Sequence, residues 1–163
     1  MGPVRDQGSC GSCASFAGTM CLEGRYAVHN NVIAPTWSTQ HGLDCSKATT
    51  NNNSCSGGLS YWYWDWYAQN GNALESDYPY RAVDQACNTS VTTYSNNLNT
   101  SNVWDRAQVT ADATGALEMI AAIQDGPIAI SINASNCDHF RYYTASKGAL
   151  TAEHCPVTSA SSS

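Results

Sequence analysis

The run Gln7-Gly8-Ser9-Cys10-Gly11-Ser12-Cys13 sets a side-chain amide, two glycines and two thiols directly before the first helix-like pattern of the chain. From Cys13 to Val28, Phe16, Met20, Gly24 and Ala27 recur at spacings of three and four, while Glu23 and Arg25 fall off that face. This predicts an amphipathic or buried helix with Cys13 at its N-terminus. Unpaired backbone N–H groups and the helix dipole favour an anion there, so a thiolate is stabilised and its nucleophilicity at neutral pH raised. Acyl transfer to a thiol also needs donors aimed at the developing oxyanion, and the Gln7 amide with the Cys13 N–H supplies two. The Cys-x-x-Cys spacing also suits a redox dithiol or half of a zinc site, and Gln7 by itself suits an ordinary turn.

The rest of the chain must position these groups. At 163 residues, 42% of them hydrophobic, it has the size of one domain with a sizeable core. Only 12% of the residues are charged and the net charge is −6, so the basic patch that nucleic acid requires is missing. No run approaches the length of a membrane span. Eight cysteines, and sequons at Asn52, Asn88, Asn99 and Asn133, point to an oxidising compartment, lysosomal or extracellular. Met1-Gly2-Pro3-Val4 lacks the apolar stretch of a signal peptide, so the targeting segment is expected outside this chain.

Asn30-Asn31 marks a turn after the first helix, and residues 46–54 form a polar surface loop. In Cys55-Ser56-Gly57-Gly58-Leu59 the two glycines, lacking Cβ atoms, let an extended peptide approach and pair with the backbone like a strand. A plain glycine turn is the alternative. Residues 61–68, Tyr-Trp-Tyr-Trp-Asp-Trp-Tyr-Ala, read as a helix apolar on nearly every face, for which core packing outweighs base stacking or carbohydrate binding. Beyond Asn88 the chain turns Thr/Ser/Asn-rich. Leu117, Ile120, Ala121 and Ile123 then recur at helical spacing, Asp125-Gly126-Pro127 ends that pattern, and residues 128–132 alternate as a strand.

The Gln7 to Cys13 run resembles the segment around the active-site cysteine of papain-like cysteine peptidases, the cathepsin L-like branch included. The resemblance continues through Ser38, Gln40, Leu43, Asp44 and Cys45, the Cys55 to Gly58 segment, Tyr78-Pro79-Tyr80 ahead of Cys87, and Cys155-Pro156. Two departures stand out. Ala14 occupies the place of a family Trp, which changes the packing around the site, and Gly42 weakens a short helix. The resemblance implies an α+β, papain-like two-lobe fold in a single domain over residues 1–163, with a mostly helical lobe over 1–88 and a partial β-rich lobe over 89–163. It implies a cysteine endopeptidase acting on peptide or protein substrates, with no cofactor and no metal.

Carried over by residue, Cys13 resembles the nucleophile and Gln7 the side-chain donor of the oxyanion hole. Gly57 and Gly58 resemble the segment beside the cleft, Leu59 and Ser60 one wall of the main specificity pocket, and Ser131 its lining on the opposite side. The implied bridges are Cys10–Cys55 and Cys45–Cys87. Cys155 resembles a family cysteine whose usual partner is expected outside this chain, so it pairs with Cys137, the favoured choice, or stays free, and Cys21, two helical turns from Cys13, is expected to be a buried free thiol. The family's catalytic His follows a few residues after Cys155, where Ser161 stands, and nothing matches the later Asn. The chain therefore reads as a fragment with crippled turnover and with exposed apolar surface that permits self-association. His154 and His139 are the substitutes to weigh as base, and His29 and His41 are loop candidates; a solvent-exposed structural role suits each better. Two further functions stay open: a non-catalytic peptide-binding module built on Gly57-Gly58, and a thiol-disulfide redox protein cycling Cys10 and Cys13. Redox cycling needs both thiols, whereas the peptidase reading locks Cys10 in a bridge.

Overall fold

The computed structural model describes residues 4–94, 113–132, 137–144, 146 and 148. Among these the helices are α1 (Cys13–Asn30), α2 (Thr39–Cys45), α3 (Ser60–Asn70), α4 (Ala113–Gln124) and α5 (Asp138–Arg141), with 3-10 turns at Ser46–Ala48 and Ser54–Ser56. The chain divides into two compact units, Met1–Ala129 and Ile130–Ser163.

The expected first helix forms, but its buried face is rotated from the one the apolar spacing marks. Met20 is 39% exposed, whereas Glu23 is buried together with Phe16, Thr19 and Leu22. Glu23 tolerates burial because its carboxylate is fully partnered. Arg5 Nη2 donates to both oxygens at 2.6 and 2.8 Å, and the Trp37 N–H donates to Oε1 at 2.8 Å. The helix stops at Asn31, whose left-handed backbone (φ 52°) turns the chain back so that the Val32 N–H reaches the Ala27 carbonyl at 3.1 Å.

Ser38 starts α2 by accepting the His41 N–H on its hydroxyl at 2.9 Å. Gly42 in the middle of α2 is a packing requirement: a Cβ there would collide with the Tyr67 hydroxyl of α3. That hydroxyl is within 2.9 Å of Thr19 Oγ1, so α1, α2 and α3 meet at one buried polar contact.

The core between these helices is Ala14, Leu22, Trp37, Cys45, Tyr63, Trp66 and Tyr67, with Tyr26 and Leu74 packed against it. Ala14 thus shares its cluster with the fully buried Tyr63. The aromatic helix is not buried all round as its composition implies. Tyr63, Trp66 and Tyr67 face inward, while Tyr61, Trp62 and Trp64 stay partly exposed.

Residues 128–132 form no strand, and Ile130 and Ile132 are 59% and 54% exposed. A strand needs a partner for its backbone groups. Among the described residues the sheet-like pairings are the isolated bridges Trp37 with Leu74 and Asn72 with Tyr94.

Cys10 is bonded to Cys55 and Cys45 to Cys87, the pairs the resemblance implies. Cys21 is a buried free thiol that donates to the Pro127 carbonyl at 3.1 Å. Cys137 is disulfide-bonded, and the expected partner Cys155 lies outside the described residues, as does His154.

Candidate active site

Cys13 is the first residue of α1, exposed and unbridged. Its N–H is one of the first-turn donors that no intrahelical carbonyl can accept. Ser12 precedes it as N-cap, yet the Ser12 side chain caps nothing in the helix. Its hydroxyl lies 2.5 Å from the Tyr80 hydroxyl and 3.5 Å from the Cys10 carbonyl. The Tyr80 hydroxyl in turn donates to the Gln7 carbonyl at 2.8 Å, and its ring stands edge-on to Phe16 with centroids 4.8 Å apart. The Gln7 amide folds over the same loop and donates to the Cys10 carbonyl at 3.0 Å, which uses one of its two N–H bonds.

Two attachments hold this loop in place. Upstream, Arg5 ties the segment ahead of Gln7 to Glu23, and its Nη1 lies 3.4 Å from both the Trp37 carbonyl and the Thr39 hydroxyl. Downstream, the Cys10–Cys55 bridge and the Gly11 N–H, which donates to the Cys55 carbonyl at 2.9 Å, seat the glycine segment beside the thiol loop.

In that segment Gly57 adopts φ 109°, which side chains disfavour, and its carbonyl accepts the Asn53 N–H at 2.9 Å. A Cβ on Gly58 would collide with the Asn52 side-chain oxygen. Among the described residues neither the N–H nor the C=O of half-buried Gly58 has a hydrogen-bond partner. Such an unpaired N–H and C=O can form strand-like hydrogen bonds with an extended segment. Leu59, 42% exposed, and the half-buried Ser60 follow at the start of α3. Ser131 belongs to the second unit, where it is exposed.

Beneath Gly58 lies the ring of Tyr63, 3.5 Å from where a Gly58 Cβ would sit. Among the described residues its buried hydroxyl has no partner. Burial, with added contributions from Tyr67 and Cys13, pushes its ionisation far above the ordinary phenol range, so it is neutral at all working pH values.

The histidines separate by position. His29 sits 16 residues along α1 from Cys13, about 24 Å at the helical rise, too far to act as its base. His41 was expected in a loop and exposed, but it is buried within α2, wedged against Trp66 and Tyr78. Its Nδ1 accepts the Ala73 N–H at 3.2 Å, and burial lowers its pKa, with Asn72 and Asp44 acting against that shift. It is a neutral core residue. His139 is exposed on α5 of the second unit.

Sequence reasoning misjudged Asn52 and passed over Tyr80 and Arg5. Asn52 reads as a sequon, yet it is buried, donating to Ser46 Oγ at 3.2 Å and accepting the Leu59 N–H at 3.3 Å. Of the other sequons, Asn88 is exposed, and Asn99 and Asn133 fall outside the described residues. Tyr80 is visible in the sequence only as the end of a turn motif. Arg5 could have been singled out, because a chain with 7 Lys and Arg in all carries one two residues before its motif.

Comparison with known proteins places these features. The family described as papain family cysteine protease matches residues 1–161. Cysteine proteinase 1 of Entamoeba histolytica is 34% identical over 155 residues, covering 94% of this chain and 45% of that protein. Digestive cysteine proteinase 3 of Homarus americanus is 32% identical, covering 96% of this chain and 45% of its own length. The chain thus spans about half the length of these relatives. Among solved structures, the Carica candamarcensis cysteine protease CMS1MS2 superposes with a TM-score of 0.51 at 32% identity, over 55% of this chain and 40% of that one. A match along nearly the whole chain, with a papain-like structural neighbour, shows that the protein belongs to the papain family of cysteine proteases.

Proposed function

We propose that this chain carries the nucleophile and substrate wall of an endopeptidase that cleaves peptide bonds in proteins. One observation supports this most: exposed, unbridged Cys13 begins α1 directly after the loop whose Cys10 carbonyl accepts the Gln7 amide, and the Cys10–Cys55 bridge ties that loop to the segment carrying the open backbone of Gly58. In the reaction Cys13 Sγ attacks the substrate carbonyl and a thioester forms as the C–N bond breaks. The Gln7 amide and the Cys13 N–H hold the oxyanion. A general base takes the thiol proton and, as its conjugate acid, returns it to the leaving amine; water then hydrolyses the thioester, releasing the acid and restoring the thiol. His29 and His41 cannot be that base, and no residue matches the family's His and Asn pair. Turnover by this chain alone is therefore expected to be low. In this reading the helical lobe runs to about Asn88 and a partial β-rich lobe follows. The two bridges fit a lysosomal or extracellular setting.

Limiting iodoacetamide followed by peptide mass mapping tests the assignment: Cys13 should be carboxymethylated first, and modification of Cys21 ahead of it would overturn the reading. A non-catalytic peptide binder is favoured instead if Cys13→Ala still binds a labelled extended peptide and the wild-type chain never cleaves it. The redox alternative loses its dithiol, because Cys10 is spent on Cys55.

A further inference from the structure

Tyr80 lies outside every motif that carries the chemistry, yet its hydroxyl joins the two residues that frame it. It donates to the carbonyl of Gln7, whose side chain is the proposed oxyanion donor, and it meets the hydroxyl of Ser12, the N-cap directly before Cys13. A serine at an N-cap normally turns its oxygen onto the N–H groups of the first turn. Here it does not: the Ser12 backbone (φ −93°, ψ 14°) is not the extended one of a capping serine, and its oxygen meets the Tyr80 hydroxyl instead. The first-turn N–H groups, and the positive end of the helix dipole, are therefore left without a side-chain cap at the turn that Cys13 begins. Tyr80 is itself fixed at both ends: its N–H donates to Glu75 Oε1 at 2.7 Å and its ring packs on Phe16.

We propose that Tyr80 is a positioning residue that withdraws the Ser12 hydroxyl from its capping place, keeping the N-terminus of α1 open to the Cys13 thiolate and Gln7 in register with it. This rests on the peptidase reading of Cys13. Tyr80→Phe keeps the ring against Phe16 but frees the Ser12 hydroxyl to cap α1, where it competes with the thiolate for the same donors.

The experiment is the rate of Cys13 alkylation by iodoacetamide in the full chain, mapped by mass and followed from pH 5.5 to 9.5. Tyr80→Phe should slow alkylation about fivefold at pH 6 while leaving the rate at pH 9.5 unchanged, as loss of a cap-sized interaction with the thiolate requires. Tyr80→Phe combined with Ser12→Ala should restore the wild-type profile, because no hydroxyl is left to cap the helix. A purely structural Tyr80 would lower the melting temperature without moving the profile. An unchanged profile for Tyr80→Phe, or a double variant as slow as the single one, overturns the inference. If Cys13 is not the first thiol modified in the wild-type chain, the peptidase reading has failed instead, which the same maps show.

Discussion

Arg5 and Glu23 show how much a single side chain holds near this site. Their side chains are 12% and 10% exposed, and the pair fixes the segment leading to Gln7 against α1. Removing one member leaves the other charge buried and unpaired, which typically costs about 3–5 kcal/mol. Arg5→Ala should therefore lower the urea midpoint strongly; a change of less than about 1 kcal/mol would mean that the pair behaves as a surface bridge. Two other residues give the fold opposed pH dependences. Burial raises the Glu75 carboxyl above its usual value of 4.5, despite opposing contributions from the Tyr80 N–H and Arg5. Its folded value exceeds its unfolded one, so its contribution is fully present below about pH 4.5 and is lost as pH rises through the folded value. For His41 the folded value is lowered beneath 6.5, so its contribution is present above 6.5 and lost as pH falls through the folded value. Glu75→Gln should raise the melting temperature at pH 7 relative to wild type and leave it unchanged at pH 4. A variant that loses as much at pH 7 as at pH 4 would show that the Tyr80 N–H contact dominates.

Among the elements, α2 and α3 show a packing demand overriding local preference. Alanine is better than glycine by about 1 kcal/mol in a helix interior, so Gly42→Ala would stabilise an isolated α2. In the protein the added Cβ meets the Tyr67 hydroxyl and breaks its contact with Thr19. Overpacking costs about 1–3 kcal/mol, and stranding a buried hydroxyl costs about as much again, so the net effect is destabilising. Gly42→Ala should melt lower than wild type, and an equal or higher melting temperature would show that α3 yields freely. Tyr67, buried and held neutral with its ionisation pushed up to about 12, leaves this contact insensitive to pH below that range.

For the whole molecule, the apolar residues of α4 are the open question. Leu117, Ile120 and Ile123 are 67%, 58% and 54% exposed, and Ile130 and Ile132 add further apolar surface. Exposed apolar side chains recurring along one helix form a face that a partner could cover. The chain should bind a hydrophobic dye and sediment faster as concentration rises; a sharply monomeric species without dye binding would count against unpartnered surface. The sequence by itself determined the thiol at a helix start, the glycine segment and the family, because each is a local run of residues whose chemistry needs no partner. In the first unit α1 and α4 were legible from their apolar spacing and α3 from its aromatic run, whereas α2 was legible only through the family resemblance. Tertiary structure decided what depends on a neighbour distant in the chain. It buried Glu23 because Arg5 arrives to pair with it, and it buried Asn52 and His41 because Ser46, Leu59, Asn72 and Ala73 satisfy them. It set the Tyr80 hydroxyl between Gln7 and Ser12 through contacts spanning about 70 positions, which no periodicity can encode. It left residues 128–132 without a strand, because alternation supplies a face but a ladder also needs a second chain segment beside it.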